Sequence, residues 1–146
     1  MSDTDTVSVV IDARAKEVFD FMADAGKLTL WSFGTWKIAH RDDGLIEGRA
    51  LANDAAILLR IDPDPARLLI DYHLGDTPDD MQPRIYARIV PGAVSGQPDD
   101  AAVLILTALR DGAMDDARWA RMCRAHAFEL DTIKALIESG YDHRIT

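Results

Sequence analysis

His126 and Tyr72 are the two side chains of this 146-residue sequence best suited to moving a proton or orienting a bound molecule. An imidazole titrates near neutrality and can hydrogen-bond a carbonyl or a hydroxyl. His126 lies in an apolar helical stripe made of Trp119, Met122, Cys123, His126, Leu130, Ile133 and Ile137, the pattern of a 3.6-residue period. Tyr72 alternates with apolar residues in a strand-like stretch, so its hydroxyl is carried to the same side as Leu68, Ile70 and Leu74. Trp31, Trp36 and Trp119 offer flat faces on which a ring-bearing compound can stack. Met122, Leu130 and Ile133 from the helix are expected to wall a hollow, with Ile57, Leu59, Ile70, Ile85 and Ala87 from the strands. Each residue has an ordinary reading too: a histidine satisfied within a core, a tyrosine reaching a polar rim, apolar groups that simply pack.

Other chemistry is unsupported. His40, His73, His126 and His143 are scattered, with no pair at metal-ligand spacing and a single cysteine, Cys123. No glycine loop has phosphate-cradling spacing. Ser95, in Gly92-Ala93-Val94-Ser95-Gly96, is one residue out of register for a nucleophile elbow. Neither a metal nor a cofactor is expected. Arg60, Arg84 and Arg88 would suit a ligand carboxylate, but strand alternation turns them toward water.

These side chains need elements to position them. The stretch 115–139 reads as one amphipathic helix of about 25 residues, spanning on the order of 37 Å. Strands are expected at Thr6–Ile11, Thr35–His40, Leu45–Ala50, Ala55–Ile61, Arg67–Leu74, Gln82–Val90 and Ala101–Leu109. Asp12 is expected to cap a helix over Ala13–Ala23, and Asp24 a second, short helix through Lys27 to Trp31. Ser32–Gly34, Asp42-Asp43-Gly44, Asn53-Asp54 and Asp62-Pro63-Asp64-Pro65 read as turns, and Pro91–Asp100 as a mobile hairpin tip. Connections this short imply antiparallel neighbours. Alternation turns Ile57, Leu59 and Ile61 inward, because burying Arg60 without a partner is costly. The same reasoning turns Ile85, Ala87 and Ile89 inward and leaves Phe128 off the apolar stripe as a candidate weak self-association face.

Composition fits one domain over residues 1–146, with 48% hydrophobic residues and no repeat. A net charge of −9 repels phosphate backbones and anionic lipid, so nucleic-acid binding is not expected. No apolar run approaches a membrane span, so no membrane insertion is expected. The opening MSDTDTVSVV lacks signal-peptide character, and one cysteine suits a reducing compartment, so the expected location is cytoplasmic.

The order strand, two helices, six strands, long final helix resembles the helix-grip fold of the SRPBCC, or START-like, superfamily. Val9-Val10-Ile11-Asp12-Ala13 followed by Glu17 to Asp24 resembles its strand-to-helix entry, and Leu28 to Trp31 the helix end that carries a tryptophan. The polyketide cyclase/dehydrase-like bacterial branch is the nearest in pattern. The resemblance implies an α+β fold: a curved antiparallel seven-stranded sheet around a long C-terminal helix, with two short helices between strands 1 and 2. It implies a small hydrophobic ligand, such as a lipid, polyketide or aromatic metabolite, held between sheet and helix. Cofactor-free cyclase or dehydratase chemistry in the same cavity, through His126 or Tyr72, is the first alternative. A cochaperone-type interaction module is the second. Phe33-Gly34-Thr35-Trp36 adds bulk that narrows or gates the mouth.

Overall fold

A computed structural model describes residues 2–145. Seven strands form one antiparallel sheet: β1 (Thr4–Ile11), β2 (Lys37–His40), β3 (Ile46–Arg49), β4 (Ala56–Asp64), β5 (Leu69–Gly75), β6 (Gln82–Pro91) and β7 (Ala102–Leu109). Their spatial order is β1-β7-β6-β5-β4-β3-β2. The last six strands thus meander through short turns, and β1 returns to pair with β7. Helices α1 (Ala15–Ala23) and α2 (Leu28–Trp31) follow β1, and α3 (Asp116–Ser139) closes the chain. The expected architecture is therefore the observed one.

Local chemistry explains the ends of α3. The Asp115 carboxylate accepts the Arg118 backbone N–H at 2.7 Å, satisfying one of the orphan donors of the first turn. At the other end Gly140 adopts φ 67° and its N–H reaches the Leu136 carbonyl, a left-handed stop that glycine adopts without penalty.

The strand phases follow the alternation. Ile57, Leu59 and Ile61, then Ile70, Tyr72 and Leu74, then Ile85, Ala87 and Ile89 share the inner face, in register with Ala108, Leu106 and Leu104 of β7. Arg60, Tyr86 and Arg88 occupy the outer face, while Arg84, which has no partner in the register, lies 3.7 Å from Asp111. A bulge interrupts β5–β6 between Tyr72 and His73.

Four local expectations need correction. Asp12 does not cap α1: the helix starts at Ala15, Arg14 stands at its cap position, and the Asp12 backbone N–H donates to Glu138 at 2.8 Å. Asp62 to Asp64 continue β4, with Pro63 opposite Ile70, and the reversal comes at 65–68. Ser32–Gly34 is not a plain turn: Phe33–Thr35 forms a short 3-10 helix. The Pro91–Asp100 segment is also built, as a 3-10 turn over Gly92–Ser95 held by Gly92 N–H to Ala101 O and Gln97 N–H to Gly92 O.

The sequence pattern also understates α1. That helix packs on β4, β5, β6 and β7, and Val18, Phe19 and Met22 are buried in the main core with Ile70, Ile89, Leu104 and Ile133. Helix α3 lies along β1, with further contacts to β7 and α2. The inner side of the sheet is thus shared by two helices, and α1 fills one end of it.

Candidate functional site

Four contacts fix the direction of α3. Trp119 Nε1 donates to the Ser2 carbonyl at 2.9 Å, and His126 Nδ1 meets Asp5 Oδ2 at 3.1 Å. Lys134 Nζ donates to the Val10 carbonyl, and Glu138 accepts from Asp12 N–H. The first half of α3 therefore lies over the start of β1, at the end of the sheet away from α1. From Asp5 the register runs across the inner face through Ala108 and Ile85 to Tyr72 and Ile61. Ile57 lies further out on the same side.

The expected lining residues separate into two sets. Trp31, Leu59, Ile70, Tyr72, Ala87, Trp119, His126, Leu130 and Ile133 are buried. Trp36, Ile57, Ile85 and Met122 are half-buried, as are Leu74 and Ile38 nearby. Of the sealed set, Trp31, Leu59, Ile70, Tyr72, Ala87, Leu130 and Ile133 belong to the main core; in the open set, Ile85 packs against that core. Two hollows open on the surface, and of the expected lining residues only Ile57 borders one of them. One of about 210 Å³ is lined by Arg41, Glu47, Ala56, Ile57, Leu58, Asp76, Thr77 and Pro78. The other, of about 420 Å³, is lined by Asp62, Pro63, Asp64, Pro65, Arg67, Leu69 and Asp71.

Polar groups inside this region are few. Tyr72 donates its hydroxyl proton to the Met22 carbonyl at 2.6 Å, and burial pushes its pKa far above the ordinary tyrosine range, making the phenol a much weaker acid. That bond ties β5 to the end of α1, so the Tyr72 proton serves the fold. His126 is 4% exposed and Nδ1 is engaged by Asp5, while its Nε2 is buried with no hydrogen-bond partner among the described residues. Trp31 Nε1 and Thr35 Oγ1 are likewise buried and unpartnered among those residues. Buried polar atoms without partners are rare enough that each calls for a reason.

Three participants escape the sequence pattern. Asp5 is in phase with Val7, Val9 and Ile11 and so faces inward; that phase was the available signal. Thr35 lies against Gly48, where an added Cβ would come within 2.6 Å of Thr35 Cγ2. Glu129 follows His126 by three residues and precedes Ile133 by four, which places it on the apolar stripe. Its carboxylate accepts the Phe33 N–H at 3.0 Å, and burial pushes its pKa up to about 7, against the pull of that bond. Above it, Phe33 stacks between Trp36 at 6.3 Å and Phe128 at 5.9 Å. Phe128, 61% exposed, therefore ends an aromatic ladder that bridges α3 to the turn before β2.

On the outer face Asp62, Asp71 and His73 bring their ligating atoms within 4.8 Å of one another. Spacing along the chain could not show this trio, because Asp62 and Asp71 meet across the β4–β5 pair. Both aspartates are exposed, as acidic groups on a sheet surface commonly are.

No family model and no curated protein matches the sequence. Solved structures do match in shape. The ZhuI aromatase/cyclase from Streptomyces sp. R1128 superposes with a TM-score of 0.68 at 19% identity, over 97% of each chain. The di-domain aromatase/cyclase BexL of the BE-7585A biosynthetic pathway matches at 0.65 and 23%, over 94% of this chain and 47% of its own. The Aha1 dimer from Colwellia psychrerythraea matches at 0.68 and 14%, over 97% of this chain and 100% of its own. With its six-stranded meander, β1 paired to β7 and the terminal helix laid along β1, the chain has the helix-grip fold that these structures share.

Proposed function

We propose that this protein binds a small, largely apolar molecule between the first half of α3 and the inner face of β4–β6. The observation that carries this reading is the set of buried, unpartnered polar atoms, His126 Nε2, Trp31 Nε1 and Thr35 Oγ1, in an otherwise apolar interior. Such atoms are costly when left bare, and a guest that brings its own oxygen atoms relieves that cost. The half-buried Ile57, Ile85, Met122 and Trp36 supply an apolar margin where a guest can enter. Apolar burial would give most of the affinity, and the polar atoms its orientation.

The Asp5–His126 pair supports a second reading, in which the bound molecule is also transformed. A carboxylate-oriented imidazole is a suitable acid or base, and two of the matched structures are aromatase/cyclases. Native mass spectrometry of protein purified from its own host tests the first reading: a small molecule should co-purify. A protein that stays empty, and whose Met122, Ile57 and Ile85 resonances ignore every apolar compound tried, would refute it. The second reading requires His126→Ala to abolish conversion of the recovered molecule while leaving its binding within several-fold.

A further inference from the structure

The geometry points to a ligand that presents a hydroxyl group to His126 Nε2, with Asp5 as the positioning residue that makes that nitrogen an acceptor. This inference rests on the binding reading above and narrows its chemical class.

A carboxylate has no proton to give, so in the 3.1 Å contact the hydrogen sits on His126 Nδ1 and points at Asp5 Oδ2. In a neutral ring the other nitrogen then carries a lone pair. That nitrogen has no partner among the described residues, and the His126 side chain is 5% exposed. Water thus has little access to it. The nearest inner-face neighbours of Asp5 in register are Ala108 and then Ile85, which bring no donor. A buried acceptor without a partner selects for a donor. A phenol or enol O–H satisfies it; a ketone or ether oxygen sets lone pair against lone pair. The imidazole therefore discriminates between two oxygenated compounds of the same size by which of them carries the proton.

The test compares naphthalene, 2-methoxynaphthalene and 2-naphthol by protein-detected NMR titration of the full chain. The expected result is that 2-naphthol binds on the order of tenfold more tightly than the other two. His126→Phe should remove the preference for 2-naphthol over 2-methoxynaphthalene. Asp5→Asn should weaken or reverse the preference, because an amide can donate to Nδ1 and move the ring proton to Nε2. The ¹⁵N spectrum of His126 reads the same point in the unliganded wild type, which removes any dependence on whether a variant folds. A protonated Nε2 there would overturn the inference. So would a gain of less than about twofold for 2-naphthol while naphthalene still binds; in that case the apolar site stands and the anchor falls. If none of the three compounds perturbs Met122, Ile57 or Ile85, the site itself fails and takes the inference with it.

Discussion

Glu129 offers a sharp test of how the helix and the turn before β2 are held. The perturbation is Glu129→Gln, which keeps an oxygen to accept the Phe33 N–H and removes the charge. In the folded protein burial raises the Glu129 pKa from 4.5 to about 7. Below pH 4.5 the carboxyl is protonated whether the chain is folded or not. As pH rises toward 7 the unfolded chain ionises while the folded one holds its proton, so stability falls. Above pH 7 both forms are ionised and the loss is complete. At about 1.4 kcal/mol per pH unit the interval corresponds to on the order of 3 kcal/mol. Glu129 keeps a partly exposed edge, and solvent screening there lowers the figure to between about 1 and 3 kcal/mol. For a chain of this size that is a melting-point difference of roughly 3–10 °C. The assay is urea denaturation of both proteins from pH 5 to pH 8.5. The four histidines are common to both and drop out of the difference. The variant should gain on the wild type as pH rises, with most of the gain in place by pH 7.5. A difference that stays constant across the range would refute the reasoning, because it would mean that the carboxylate is solvated as a charge.

Other outcomes follow from the packing. Tyr72→Phe removes the donor to the Met22 carbonyl and leaves that carbonyl bare; calorimetry should show a loss of about 1–3 kcal/mol. Gly48→Ala drives a methyl group to 2.6 Å from Thr35 Cγ2; it should lose roughly 1–3 kcal/mol in urea unfolding and shift the Trp36 resonances. Asp71→Thr removes one of two carboxylates that face each other across β4–β5; a gain of about 0.5–1 kcal/mol in the urea midpoint is expected.

Much of the fold was legible because each signal was local. Asp115 and Gly140 bracket α3, so its ends could be read to within a residue. Alternation in β4, β5 and β6 gave the inner face, since a one-residue slip would bury Arg60 or Arg88. The misses have physical causes. Asp12 is a good cap by type, but its backbone is taken by Glu138, 126 residues away. The plugging of the sheet by α1 depends on the depth to which Val18, Phe19 and Met22 sink, and a helical pattern fixes only their shared side. The site was half readable. His126 stood out by type, whereas Asp5 meets it across a separation of 121 residues. The phase of β1 put Asp5 inside, but nothing in the chain named its partner. Glu129 was hidden by the habit of treating an acid on a helix as solvated.

The contacts that lay α3 along β1 also order events in time. All of the ladder partners of β1 belong to β7, and its ties to α3 run from Asp5 to His126 and from the Val10 carbonyl to Lys134. While the chain is being synthesised, the stretch from β2 to β7 can zip up hairpin by hairpin. Over that period β1 is a strand with nowhere to dock. The valine-rich edge that will face β7 stays bare until β7 clears the ribosome, and that interval is when a nascent copy is most exposed to pairing with another.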